Sequence, residues 1–377
     1  MNVLCITDQF EGSSHSAIEG VFNRTLPHQD RVFLTFFTKV HSKGHQQGNR
    51  IILPYAFKRR DICRELDRYI SLKDIDIVIV RNFSPVLKRV LRGRSRYGYK
   101  VGFWPSFPHS FRRIFEARAL RKALSRKTLE YKISRYFENR LVQQCDFLIV
   151  ISDLFKKIWF PAFTSDVFVL PMGVNFESLP SPEPGGTGKM GFIHTGTADH
   201  LRKSALVAEA FSETPGEFVL HFYTGSRNET VARIKKLKDP RIEVFPFLPR
   251  HQLFQKMKKY DIGVGLIPDN ELYRVSSPTK TLEYYGLGLP ALLNHLPEYD
   301  ALFDDRCAFF AEFTKEGIRA KVEEILTTSK DRLQLMGERG QRIVQENRNY
   351  RVLADHLFQF LRNITLKAVF TKMHQSG

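Results

Sequence analysis

Short apolar runs alternate with longer stretches of helical periodicity from the start of the chain. VLCIT from residue 3, VFLTFF from 32, RIILP from 50, IDIVIV from 75, KVGFW from 100, DFLIVIS from 146 and DVFVLP from 166 are apolar at successive positions. A strand buried on both faces reads that way, because its side chains alternate between two covered surfaces. Strands of this kind separated by helices predict a Rossmann-like domain. Residues 178–189, SLPSPEPGGTGK, are rich in proline and glycine, a linker composition that marks a domain boundary. The alternation then restarts with MGFIHTG from 190, EFVLHFYTG from 217, IEVFPF from 242, DIGVGLIP from 261, PALLNH from 290 and CAFFAE from 307. The expected fold class is therefore α/β with two Rossmann-like domains, residues 1–180 and 188–358. Helical patterns over 330–346 and 348–367 close the chain, the second apolar at Leu353, Leu357, Phe360 and Leu361.

The densest chemistry lies in residues 276–290, SSPTKTLEYYGLGLP. Ser277 suits an N-cap and Pro278 a first helical position, so a helix is expected to start there and to end near Gly286 or Gly288. Its first-turn amides, around Pro278 and Thr279, and the helix dipole make a site for a phosphate, to which Lys280 adds a full positive charge. Glu283 follows three residues later on the same face and supplies an acceptor for hydroxyls. The GGTGKM stretch at 185–190 is no P-loop, because the motif would need a glycine at Glu183 and a Ser or Thr at Met190. In the first half, Asp8–Gly20 (DQFEGSSHSAIEG) reads as a loop at the carboxyl end of the first strand, the end where such sheets bind ligands. Gly12 within it is a candidate donor-side residue.

SPTKTLEYYGLGLP resembles the nucleotide-binding signature SPxKxxEYxxxGxP of family-4-like retaining glycosyltransferases with the GT-B fold. RYFENRLVQQCDFLIVIS, VFVLPMGVNFE and FIHTGTADHLRKSALVAEAF resemble further segments of that family in the same order, so the resemblance runs from about residue 131 to residue 297. It implies two Rossmann-like domains facing across a cleft, the last helix (360–377) crossing back to the first. It implies that Lys280 meets the donor diphosphate and Glu283 the ribose hydroxyls. Gly196 ends the strand of FIHTG, and Arg202 stands where the family has a basic residue facing the diphosphate, with Lys203 beside it as a substitute. Thr197 occupies the place of the family's arginine after that glycine. His109, in FWPSFPHSFRR, stands where the family often has a cleft histidine near the donor sugar. The first glutamate of the family's E-x7-E pair is Val275 here, leaving Asp269 and Glu271 as acidic loop candidates. The implied reaction is hexosyl transfer with retention, by front-face attack of an acceptor hydroxyl that gives its proton to the leaving phosphate. No cofactor is expected, and no metal, since no Asp-x-Asp occurs between the domains and Lys280 with Arg202 can hold the leaving group.

Composition bears mainly on partners. The 377 residues carry a formal charge of +18. Residues 86–140 hold 16 Lys or Arg against three Glu, so the excess is concentrated and its target is anionic. Within them Phe115, Leu120, Leu124, Leu129, Ile133, Phe137 and Leu141 recur at helical spacing among the basic residues, the pattern of an amphipathic helix on a membrane surface. No zinc, helix-turn-helix, RRM or KH signature accompanies the charge, so nucleic acid is not an expected partner. No apolar run approaches the roughly 20 residues of a membrane span, MNVLCITDQF lacks the features of an export signal, and the four scattered cysteines read as reduced thiols. The expected setting is the cytoplasm, at the cytoplasmic face of the membrane, with a nucleotide-sugar donor and a glycan or lipid-linked acceptor as partners. The alternatives are a sugar-nucleotide epimerase or an inactive binding subunit on the same fold, or a protein that binds nucleic acid non-specifically through its charge.

Overall fold

The computed structural model describes residues 1–377 except 13–14, 27–30, 42, 56–58, 108–110, 113–114, 116–124, 181–187 and 376–377. The chain divides into two compact units, Met1–Pro171 with Tyr350–Gly377, and Met172–Asn349.

The first unit is built on an eight-stranded sheet of β1 (Asn2–Phe10), β2 (Arg31–Thr38), β3 (His45–Gln47), β4 (Arg50–Pro54), β5 (Ile77–Arg81), β6 (Lys100–Trp104), β7 (Phe147–Val150) and β8 (Asp166–Val169). Their order is β3-β4-β2-β1-β5-β6-β7-β8, parallel except for β3, which pairs antiparallel to β4. β3 has no counterpart among the predicted strands. Its residues, HQQ, are polar and exposed at the sheet edge, where no apolar run is needed. β1, β5 and β7 are apolar because both faces are covered. The expected Asp8–Gly20 loop is shorter than predicted: β1 extends through Phe10, and residues 16–25 are helical, with Ile18–Thr25 a π-helix. Gly20 there receives the ring of Tyr350, whose Cδ2 would lie 2.1 Å from an added Cβ. Tyr350 opens the final helix, Tyr350–Gln375, which buries Leu353, Leu357 and Leu361 and sets Phe360 against Phe147 and Phe168.

The helix Ser125–Val142 exposes apolar side chains among its basic ones. Two of its polar side chains face the protein: Arg135 lies over the rings of Trp159 and Phe160, and Glu138 accepts from Ser84 at 2.9 Å. Leu129, Ile133, Tyr136 and Phe137 are exposed.

The second unit carries a six-stranded, all-parallel sheet of β9 (Met190–Thr195), β10 (Phe218–Thr224), β11 (Ile242–Pro246), β12 (Ile262–Val264), β13 (Ala291–Leu293) and β14 (Ala308–Phe310), in the order β11-β10-β9-β12-β13-β14. All six were anticipated by apolar runs. The boundary between units falls at Pro171/Met172, before the Pro/Gly-rich stretch, and returns at Asn349/Tyr350 instead of 358. The reason is local pairing: Met172 N–H donates to Ser277, Val174 bridges to Asn349, and Val174 and Leu179 pack at Gly286, so residues 172–179 belong to the second unit.

Candidate functional site

The helix carrying the signature runs Thr279–Gly286. Ser277 is not its N-cap, contrary to the sequence expectation. The Ser277 hydroxyl donates to Glu298 at 2.7 Å and accepts from Met172 N–H at 3.1 Å, which takes it away from the helix. Pro278 occupies the cap position in extended geometry, and no side chain caps the first turn. The helix is fixed from behind by its tyrosines. Tyr284 packs its ring on Gly263 of β12, where a Cβ would lie 2.2 Å from ring carbon, and its hydroxyl accepts from Thr195 N–H at 2.9 Å. Tyr285 donates to the Cys307 carbonyl at 2.9 Å. Through Tyr284 the helix is tied to the carboxyl end of β9, where Gly196 turns the chain at φ +92°.

After Gly196 the loop is pinned at Ala198, whose N–H donates to Ser226 and whose carbonyl accepts from Asn228. Asp199, buried, accepts from Arg202 backbone N–H at 2.9 Å and from its guanidinium at 2.7 Å. Arg202 also lies over the Tyr273 ring, 5.3 Å from its centroid. Lys203, left-handed at φ +49°, and Thr197 are exposed. Of the two neighbouring cations, Arg202 is therefore the one built into the site.

Lys280 reaches back to β9, its Nζ 3.0 Å from Nε2 of the buried His194. Burial, and then the Arg202 guanidinium, push the lysine down to about 7, against the pull of Asp199. Burial, Lys280 and Arg202 together hold His194 well below the ordinary histidine range, so it is neutral. Its Nδ1 is buried with no hydrogen-bond partner among the described residues. Glu283 does not meet Lys280. It accepts from Arg250 at 2.5 Å and is 13% exposed, with burial raising its carboxyl and Arg250 opposing the rise.

The structure brings Lys280 and Arg202 within electrostatic reach of each other, and sets beside them or beside Glu283 three residues that the sequence reading passed over, Asp199, His194 and Arg250. Asp199 had a signal, an acid three residues before the arginine in ADHLR. His194 and Arg250 had none, since each is set opposite its partner by sheet and helix packing. Asp269 pairs with Arg274 at 2.9 Å and, like Glu271, is exposed, while Val275 is buried. Gly12, at φ +81° and exposed, belongs to the first unit. His109 lies outside the described residues. Beyond the carboxyl ends of β10 and β11 a cavity of about 580 Å³ opens, lined among others by Thr224, Ser226, Arg227, Lys235 and Phe247. Among the described residues no cluster of His, Cys, Asp and Glu is arranged to hold a metal ion.

Residues 202–359 match the glycosyl transferase-like family. No curated protein sequence matches the chain. Among solved structures, sucrose-phosphate synthase from Thermosynechococcus elongatus superposes over 97% of this chain and 99% of its own at a TM-score of 0.70 and 11% identity. HepE from Anabaena, in complex with UDP and glucose, covers 96% and 100% at 0.69 and 11% identity. The lipopolysaccharide outer core galactosyltransferase WaaB covers 99% and 100% at 0.64 and 13% identity. Residues 202–359 thus carry a glycosyl transferase-like domain, and the matches over nearly the whole length of the chain show that it has the GT-B fold.

Proposed function

We propose that the protein transfers a hexose, with retention, from a nucleotide-diphosphate sugar to a hydroxyl of a glycan or lipid-linked acceptor in bacterial surface polysaccharide or glycoconjugate synthesis. The donor favoured is a UDP-sugar, with a GDP-sugar as runner-up. The observation that carries this reading is the partly buried Lys280 in an uncapped first helical turn, beside the Asp199-held Arg202. Cleavage of the donor builds negative charge on the departing diphosphate. Preorganised donors at such a charge are each worth about 3 to 4 kcal/mol in the transition state. Lys280, Arg202 and the helix amides take that role, and this reading needs no metal. Glu283, held by Arg250, meets the ribose hydroxyls, and the cavity beyond β10 and β11 receives the base. HepE, solved with UDP and glucose, supports the choice of nucleotide.

We further place the acceptor at an anionic membrane surface. The exposed Leu129, Ile133, Tyr136 and Phe137 are flanked by the exposed Lys132 and Arg140, a composition suited to the headgroup boundary. Each basic residue near such a leaflet contributes about 1 kcal/mol. Among the described residues no helix is long and apolar enough to cross the membrane. Equal sedimentation with neutral and anionic vesicles at low salt would remove this part of the reading.

The test of the reaction is thermal unfolding with UDP, GDP, ADP and CDP in turn, beside a short single-stranded DNA of matched charge. A ligand at a hundred times its dissociation constant stabilises by about 2.7 kcal/mol, enough to raise the melting point by a few degrees. A shift with one nucleotide diphosphate that is lost in Lys280→Ala supports the reading. A shift with DNA alone overturns it. Release of free nucleotide diphosphate only when acceptor is present separates transfer from epimerisation and from a binding subunit.

A further inference from the structure

We propose that His194 is a positioning residue for Lys280, and that the pair takes up one proton from solvent when a diphosphate binds. The inference rests on the donor-site reading above and adds to it a residue and a protonation step.

Four observations converge on the pair. Lys280 Nζ and His194 Nε2 are 3.0 Å apart, and among the described residues no other side-chain hydrogen bond engages either group. His194 is almost fully buried on β9, its ring 4.9 Å from that of Phe222, so it cannot swing away. Its Nδ1 has no partner among those residues. A buried polar atom left unpaired is costly, and such atoms persist where function requires them. The charged groups acting on the pair are Arg202 and Asp199, from the loop after β9. Arg202 repels a second cation, and its own carboxylate, Asp199, is already engaged with it at 2.7 Å.

Burial and Arg202 lower the lysine to about 7, so in the unliganded site its ammonium is only partly populated at and above neutral pH. A diphosphate brings negative charge to the same pocket and favours the ammonium. Nζ gains a proton from solvent, donates one N–H to His194 Nε2, and keeps its other N–H groups for phosphate oxygens. His194 must then hold its single proton on Nδ1, the atom without a partner. The histidine thus acts as an acceptor that aims the ammonium and leaves its charge undiminished, which a carboxylate in the same place would cancel.

The experiment is calorimetric titration of the folded protein with UDP at pH 8.5, in two buffers of different ionisation enthalpy, which counts protons taken up. Wild type is expected to take up about one proton per UDP, and less as the pH falls below 7. Lys280→Met takes up none and binds at least about tenfold more weakly, the loss expected for a charge-assisted bond. His194→Ala also weakens binding about tenfold, and His194→Gln, whose carbonyl can stand in for Nε2, restores it to within about threefold. A His194→Ala protein that folds and binds UDP with wild-type affinity and proton uptake overturns the inference alone. Lys280→Met binding UDP as wild type does, or no binding of UDP, GDP, ADP or CDP at all, overturns the donor-site reading with it. Should the alanine variant not fold, nitrogen NMR of the wild-type histidine decides: the Nδ1–H tautomer is expected, and an Nε2–H tautomer sinks the proposal.

Discussion

Arg250 donates to Glu283 across 2.5 Å and so ties the helix Arg250–Met257 to the helix that carries Lys280. The carboxylate is largely buried and its partner is 45% exposed, so the pair trades a desolvation penalty on one side for a solvent-screened charge on the other.

Burial raises the Glu283 carboxyl above its unfolded value, and Arg250 limits that rise. A raised acid favours the fold most below its unfolded pKa, and that advantage is lost as pH climbs through the folded one. Arg250→Ala raises the carboxyl further, so it is expected to destabilise the second unit more at pH 8 than at pH 5. The screened position of Arg250 keeps the loss to about 1 kcal/mol at pH 8. Urea unfolding at the two pH values checks it, and equal losses would show that the pair contributes packing and no charge.

Lys280 makes the opposite trade. Its folded pKa, about 7, lies below the unfolded value of 10.5, so unfolding takes up a proton between those values and stability rises with pH across that window. Lys280→Met removes the penalty of burying an ammonium. The variant is expected to melt a few degrees above wild type at pH 6, with the gap narrowing from pH 7 to pH 10. Turnover moves the other way: Lys280→Ala is expected to lose at least about a hundredfold while remaining folded. A variant within threefold of wild-type turnover would falsify the role given to Lys280.

How much of this was legible follows from where each signal resides. Apolar runs report burial on both faces, which is why all six strands of the second sheet and seven of the first were readable, while the edge strand His45–Gln47 carries no such run. Lys280 could be singled out because a helix start is a local feature, and Arg202 because the family resemblance places a basic residue there. His194 and Arg250 could not, because their partners stand 86 and 33 residues away in sequence. Ser277 misled for a related reason: its hydroxyl has the right chemistry for a cap, and Glu298 competes for it from 21 residues downstream. The unit boundary misled because composition marks where the chain is loosely made, whereas three tertiary contacts decide to which unit residues 172–179 belong.

Tyr284 offers a test of how the site is held. Its hydroxyl accepts the buried Thr195 N–H, immediately before the Gly196 turn. Tyr284→Phe leaves that N–H without a partner, at a cost of about 1 to 3 kcal/mol. The loop that presents Asp199 and Arg202 begins at the same point, so UDP affinity should fall together with stability in urea. Gly263→Ala strikes the same contact from β12, where a Cβ would lie 2.2 Å from the tyrosine ring. It is expected to exceed the usual 1 to 3 kcal/mol or so for overpacking, since backbone and ring have nowhere to move. Loss of stability without loss of affinity in Tyr284→Phe would show that the loop is set by Ser226 and Asn228 alone.

The exposed apolar positions of the helix Ser125–Val142 are tested by charge. Ile133 and Phe137 are exposed, 49% and 60%, so replacing them does not open the core and the fold should tolerate the change. Apolar side chains at a headgroup boundary contribute by area, and acidic ones are repelled by an anionic leaflet. Ile133→Asp with Phe137→Asp is therefore expected to reduce sedimentation with anionic vesicles at least about tenfold, each such factor being roughly 1.4 kcal/mol. Melting temperature and UDP affinity should stay at their wild-type values, because the site residues lie in the other unit. Lys132→Ala is expected to act more weakly and only at low salt, since its share is a screened charge. Undiminished sedimentation of the double aspartate variant would move the membrane contact to the arginines of Ser84–Tyr97, where Arg92 and Arg96 are also exposed.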